Sequence, residues 1–336
     1  MVRSRMRLRE SPFWREPIVA PEFFSLGVPQ HRLAVLAFLR FLRQEIAAGR
    51  SVYIDFRQTR RMFSDGTLLF LAELSRLFRA LERRPVVRCN YPKDRIVEQV
   101  LQQVGIFDMI GKLPRVDSSE FAETVKFWKF ATGTQAIGEE FEPVLQKYDG
   151  IIESRLALTM YKGVTEAMTN ASNHAYIAER GDGLPFEQEE RRWWMFSQER
   201  EGRLYVSLCD LGIGIPNSLP RTRWKDWTPE SISKFVSDVA GGSKPSNDCV
   251  MIKAAIELGR TRTELAYRGR GLQQLRDVID AAGGGDLTIH SNRGLYRYNP
   301  SNALIETIND FSDSIMGTLI LWNVPIPSGD ESGTHD

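Results

Sequence analysis

Between residues 51 and 105, short β-prone runs alternate with helical stripes, and few folds accommodate that order. Ser51-Val52-Tyr53-Ile54-Asp55-Phe56 has the composition of a strand. From Gly66 to about Glu82, the apolar residues Phe70, Leu74, Leu77 and Leu81 step by four and three residues, which keeps them on one helix face. Pro85-Val86-Val87-Arg88-Cys89 reads as a second strand, and Asp94 caps a helix that runs through Val104 and ends at Gly105. Strand, helix, strand, helix predicts an α/β domain. Together with an amphipathic stretch from Pro29 to Ala48, carrying Leu33, Leu36, Ala37 and Phe41, it occupies residues 28–113. Residues 1–27, punctuated by Pro12, Pro17, Pro21 and Gly27, read as an irregular arm.

With 336 residues the chain has room for a second domain. Residues 114–148, with Pro114, Ser118-Ser119, Gly133 and Gly138, read as a partly helical connector. A second α/β unit is placed at 149–326. It opens on a long helix from Ile151 to Tyr176. A hairpin follows, 192–198 and 204–209, around a turn at Glu201-Gly202. A Gly-rich turn at 212–214, a long variable segment at 217–268 and a helix starting near Gly271 come next. Two strands, 286–291 and 317–324, finish the unit, and the polar tail 327–336 is expected to be disordered.

Composition narrows the function. The chain carries 44 basic and 43 acidic residues, a net charge of +1, so it has no general attraction for nucleic acid or anionic lipid. Arg3, Arg5, Arg7 and Arg9 crowd a terminus that is expected to fray. Cys89, Cys209 and Cys249 are far apart and form no zinc-ligand spacing, as expected of thiols in a reducing compartment. The apolar stretch Leu33–Leu42 is broken by Arg40 and is too short to cross a bilayer, and no secretory signal is visible. The expectation is a cytoplasmic protein with neither membrane nor nucleic acid as a direct ligand.

Three short patterns carry chemistry. On the 151–176 helix, Glu166, Asn170, Asn173 and His174 fall within roughly 100° of one another. Val164, Met168, Ala171 and Ala175 form an apolar stripe opposite. A carboxylate four residues before a carboxamide suits a water together with a hard cation, because Mg²⁺ accepts carboxamide oxygen and keeps several waters. The carboxylate can also take a proton from an attacking hydroxyl or water. Next, Asp210-Leu211-Gly212-Ile213-Gly214-Ile215 follows a β-prone run. Its glycines allow a tight turn and close approach to a flat ligand, and Asp210 can accept from an exocyclic amine such as that of adenine. Last, Arg268-Gly269-Arg270-Gly271-Leu272 enters a helix, where exposed N–H groups and two guanidinium groups attract phosphate oxygens. Taken singly, each pattern is as well explained by a solvated helix face or an ordinary Gly turn.

In this order the three resemble the N, G1 and G2 boxes of the GHKL superfamily, which includes DNA gyrase B, MutL, histidine kinases and anti-sigma serine kinases. Thr165–Tyr176 is most similar to the anti-sigma kinase version, and Gly317-Thr318-Leu319-Ile320 resembles the family's last strand. The resemblance covers about 149–326 and implies a two-layer α/β sandwich binding ATP and Mg²⁺. It implies Asn170 as metal ligand and Glu166 as general base, with Asn173 also lining the nucleotide site. Asp210 would sit on the adenine amine, with Gly212, Gly214 and Ile215 shaping its pocket and Thr318 nearby. Arg268, Gly269, Arg270, Gly271 and Leu272 would lie at the phosphates, and 217–268 would form the lid. No GxxxxGK[ST] loop, HRD or DFG set, or phosphoacceptor-helix pair accompanies them.

More faintly, Val52–Ile110 resembles a STAS domain, in which a serine at a D-S-S-G-like turn is phosphorylated. Here Phe63-Ser64-Asp65-Gly66 places Asp65 at that position, with Ser64 adjacent. The combined resemblance implies a bacterial signalling protein that phosphorylates a partner Ser or Thr, the partner being a regulatory protein such as a STAS-domain protein or a sigma factor. A slow ATPase acting as a conformational switch and a non-catalytic ATP-sensing scaffold remain as alternatives, and homodimerisation is left open.

Overall fold

The computed structural model describes residues 16–81, 85–136, 154–184, 191–221, 228–241, 244–261 and 272–326. It is a mixed α/β protein built on two main sheets. In the first half, β1 (Ile18–Val19), β3 (Val52–Asp55) and β5 (Val87–Cys89) form a parallel sheet in the order β1-β3-β5. A two-residue parallel pair joins β2 (Phe23–Phe24) to β4 (Arg61–Met62). The helices are α1 (Pro29–Ala47), α2 (Ser64–Arg79), α3 (Arg95–Gln103) and α4 (Ile106–Met109). Asp94 caps α3 as expected, accepting from the N–H groups of Ile96 and Val97 at 2.8 and 3.1 Å.

Residues 16–27 correct the expectation of an irregular arm. Ile18 and Val19 pair with Ile54 and Asp55. Two-residue strands are too short to show alternation, and their partners lie more than thirty residues downstream. The connector is partly helical as expected, but it also contributes a strand to the second sheet. A 3₁₀ turn (Ser118–Glu120) and α5 (Glu123–Lys126) lead into β6 (Lys129–Gly133), which pairs antiparallel with β7 (Trp193–Arg200).

The second sheet is antiparallel throughout. Its remaining strands are β8 (Arg203–Asp210), β9 (Asp286–Ser291), β10 (Gly294–Tyr298), β11 (Glu306–Asp310) and β12 (Thr318–Pro325). Their order is β11-β10-β9-β12-β8-β7-β6. The hairpin β10–β11 was not expected from the sequence. The β7–β8 turn has Glu201 and Gly202 both at positive φ, as a two-residue hairpin turn requires.

Strand alternation assigns the sheet's two faces. On one face Trp193, Met195, Val206, Ile289 and Trp322 pack against α6 (Ser154–Asn170) and α10 (Gln273–Ala281). These two helices cross closely: a Cβ on Gly163 would lie 2.8 Å from Val278 Cγ2. On the other face Trp194, Phe196, Cys209 and Leu319 share one core with α2 and the first half. That position buries α2 nearly all round, from Gly66 to Leu74 without a break and again at Leu77 and Phe78. Farther along the same face the floor turns polar, with Tyr205, Ser207 and Asn323 lining a groove of about 670 Å³.

The 217–268 segment is largely helical where described. α7 (Ile215–Ser218) and a 3₁₀ turn (Leu219–Arg221) precede α8 (Pro229–Ala240) and α9 (Asp248–Thr261), which build a small core from Leu219, Ile232, Val236, Val250, Ala254 and Leu258. Thr228 and Pro229 supply the start signal for α8, the Thr228 hydroxyl accepting from Ser231 N–H at 3.3 Å. No helix among the described residues is long and apolar enough to cross a membrane. The tail 327–336 lies outside the described residues.

Candidate functional site

The helical spacing of Glu166 and Asn170 produces a real pair. Asn170 Nδ2 donates to Glu166 Oε1 at 3.1 Å, and both residues are half-buried. Burial raises the Glu166 carboxyl above its ordinary range, and the Asn170 bond opposes that. The carboxamide oxygen of Asn170 faces no hydrogen-bond partner among the described residues.

Immediately after Asn170 the helix loosens into a π turn, Ala171–Ala175. The wider turn breaks the expected stripe. Asn173 is exposed and does not join the Glu166–Asn170 pair. His174 is half-buried, and burial lowers its pKa, which favours the neutral ring.

The turn after β8 docks onto this loosened end. Ile213 N–H donates to Ala175 O at 2.8 Å. A Cβ on Gly212 would lie 2.2 Å from the same oxygen, so no other residue fits there. Gly214 has φ 77°, and a Cβ on it would meet the Asn292 side chain at 2.6 Å. The Asn292 amide in turn donates to Ile213 O at 2.9 Å. The Tyr176 hydroxyl accepts from Leu211 N–H at 3.0 Å and donates to Arg192 O.

At the strand ends, register sets three buried polar residues side by side. Asp210 pairs with Thr318, and Thr318 with Ser291. All three face the α6 side of the sheet by strand alternation. Asp210 Oδ1 accepts from Gly212 N–H at 3.0 Å. Burial pushes the Asp210 carboxyl up to about 6, against the pull of the Gly212 N–H, the Arg180 charge and the Thr318 N–H and hydroxyl. Ser291 Oγ lies 3.0 Å from Thr318 Oγ1 and accepts from Ile215 N–H at 2.8 Å. A Cβ on Gly317 would come within 2.3 Å of Asp210 O.

Of the third pattern, Arg268, Gly269, Arg270 and Gly271 lie outside the described residues. Leu272 is buried and sits just before α10, accepting from Leu275 N–H at 3.1 Å. The first turn of α10 abuts α6 one turn before Glu166, where a Cβ on Gly163 would lie 3.4 Å from Gln274 O. The structure therefore joins the helix pair, the Gly turn and the strand ends.

Several residues at this junction carried no signal in the sequence. Arg180 is 3% exposed and ties the segment after the π turn to the first half. Its guanidinium bonds Glu73 of α2 and lies 3.2 Å from Asp182, and its Nε donates to Met316 O at 2.6 Å. Arg43 of α1 also reaches Glu73 at 2.9 Å, and Arg76 of α2 pairs with Asp182. Ser291 and Asn292 end an ordinary β-prone run, and nothing in their spacing links them to Asp210.

In the first half, Asp65 is half-buried at the start of α2. Its carboxylate accepts from the N–H groups of Leu26 and Gly66, both at 2.7 Å, so it ties a loop to the start of α2. Ser64, the first residue of α2, is half-buried and lines the polar groove.

No group of three or more His, Cys, Asp or Glu able to hold a metal occurs among the described residues. A single carboxylate–carboxamide pair suits a cation that takes most of its ligands from phosphate and water. No protein-family model matches the chain, and no curated protein matches it.

Proposed function

We propose that the chain binds ATP with Mg²⁺ between α6 and the ends of β8, β12 and β9, and acts as a regulator of the anti-sigma-kinase type on a partner Ser or Thr. The observation that carries this is the docking of the Asp210–Gly214 turn onto Ala175. It brings a buried carboxylate at strand ends next to the helix that bears Glu166 and Asn170. Asp210 accepts the amine of the base, and Gly212 and Gly214, which leave no room for a Cβ against Ala175 and Asn292, let the turn that shapes its pocket pack closely. Asn170 offers its carboxamide oxygen to the cation while its amide holds Glu166 in place. Glu166, with its carboxyl raised by burial, takes the proton from the attacking hydroxyl. Bound ATP–Mg²⁺ supplies the phosphoryl group to be transferred. A STAS-domain protein or a sigma factor is the partner class this reading favours.

A slow ATPase used as a conformational switch is the second reading. The buried Glu73–Arg180–Asp182 cluster favours it, because that cluster links the first half to the segment that follows the π turn.

The test follows labelled γ-phosphate to protein and to free phosphate in one assay. Glu166→Gln is expected to keep ATP binding and lose roughly 10²–10⁴-fold in turnover. Asn170→Ala is expected to remove the Mg²⁺ dependence of binding. Label on a partner supports the kinase, and release of phosphate alone supports the switch. Failure of the wild type to bind ATP rejects both.

A further inference from the structure

Ser291 is completely buried at the end of β9, and its hydroxyl has three neighbours. It accepts from Ile215 N–H at 2.8 Å. Its own hydrogen then goes to Thr318 Oγ1 at 3.0 Å or to Gly317 O at 3.4 Å. Only the first distance falls within the usual O–H···O range. The choice decides where the Thr318 hydrogen points. With Ser291 donating to it, Thr318 is left to turn its own hydrogen to the carboxylate of Asp210, its register partner on the same face of the sheet and the strongest acceptor beside it. The bonds then run one way, from Ile215 N–H through Ser291 and Thr318 to Asp210, and each polarises the next.

We propose that Ser291 is the positioning residue for base recognition: by fixing Thr318 as a donor toward Asp210, it makes the strand ends present an acceptor and no free donor. This rests on the nucleotide reading above and names the specificity of that site. Such a cluster takes a purine edge bearing an amino group. A keto oxygen at the same place faces a carboxylate with no hydrogen between them, an unpaired contact that buried sites reject strongly. Without the Ser291 hydroxyl, Thr318 is free to turn its hydrogen outward and serve a keto oxygen. Discrimination then falls while the carboxylate remains.

The experiment is equilibrium binding of ATP, GTP and inosine triphosphate to the full chain by calorimetry. The wild type is expected to bind ATP at least tenfold more tightly than inosine triphosphate, which carries a keto group in place of the amine. Ser291→Ala is expected to cut that ratio about tenfold, the loss of about one hydrogen bond. Ser291→Thr, which keeps the hydroxyl, is expected to restore it. A merely structural role would weaken all three nucleotides together and leave the ratio unmoved. An unchanged ratio in a folded Ser291→Ala protein overturns the proposal and leaves ATP binding intact. Equal wild-type affinity for ATP and inosine triphosphate overturns it without any variant. A wild type that binds none of the three rejects the nucleotide reading itself.

Discussion

Asp210 is a carboxylate held away from water, and that has a cost the sign of which can be worked out. Its pKa stands at about 6 in the folded chain against an ordinary value of 3.8. The folded state therefore holds this proton to a higher pH than the unfolded state does. Stability falls as pH rises from about 4 to 6 and then levels off, with a full penalty of roughly 3 kcal/mol at most. Asp210→Asn removes the charge. We expect its Tm to exceed that of the wild type at pH 7.5 by a few degrees, with the difference closing below pH 4. ATP binding should weaken at least tenfold, because a carboxamide has one acceptor oxygen to share between Gly212 N–H and the incoming amine. Thermal melts across pH, beside binding isotherms, check both halves. A lower Tm for the variant at pH 7.5 would show that the buried charge is fully compensated. Asp210 would then be a structural residue and not one kept for a ligand.

At the scale of elements, the Arg180 cluster can be tested in the same way. Burial alone would raise the Glu73 carboxyl, but Arg180 and Arg43 hold it at about 2. A depressed acid contributes stability that is fully present above its unfolded value of 4.5 and is lost as pH falls toward 2. Arg180→Met leaves Glu73 and Asp182 with one fewer cation each, and breaking a buried pair costs roughly 3–5 kcal/mol. Urea unfolding at pH 7 should show that loss, and at pH 3 the gap to the wild type should narrow. Little of this cluster was legible in the sequence, since Glu73 and Arg180 lie far apart along the chain. What was legible was local: the Asp94 cap, the β7–β8 hairpin and, more weakly, the Glu166–Asn170 spacing. What was not legible depended on distant partners. β1 and β2 exist only as additions to β3 and β4. β10 and β11 did carry a signal, alternation in Leu295–Tyr298 after the turn at Asn292-Arg293, but a run of five residues competes poorly with the Gly-rich loops around it. The π turn ends where Gly212 docks, and single-helix periodicity contains no trace of that contact.

In the whole molecule, the two halves share their interior. α2 faces the parallel sheet of its own half and, on its other side, Trp194, Phe196, Cys209 and Leu319 of the antiparallel sheet. A second tie comes from α1. Arg32 is 2% exposed and places Nη1 3.1 Å from His290 Nδ1, with Nη2 reaching Asn292 O at 3.3 Å. Burial and the Arg32 charge lower the His290 pKa to about 3, so the ring stays neutral and can accept from the guanidinium. Arg32 therefore grips the chain on either side of Ser291, while Glu73 grips Arg180 on the other flank of the Asp210–Thr318–Ser291 row. A shift of α1 or α2 would disturb these buried contacts, and breaking a buried charge pair costs roughly 3–5 kcal/mol. It follows that the halves should unfold as one. We expect a single calorimetric transition for the full chain, with ATP raising its midpoint. A fragment covering 114–326 lacks the cover over Trp194, Phe196 and Leu319 and leaves Arg180 buried beside no Glu73. It should bind a hydrophobic dye and aggregate. If that fragment instead melts cooperatively and binds ATP with full affinity, the first half is an independent module, and control of the strand ends by α1 and α2 fails as an account of regulation.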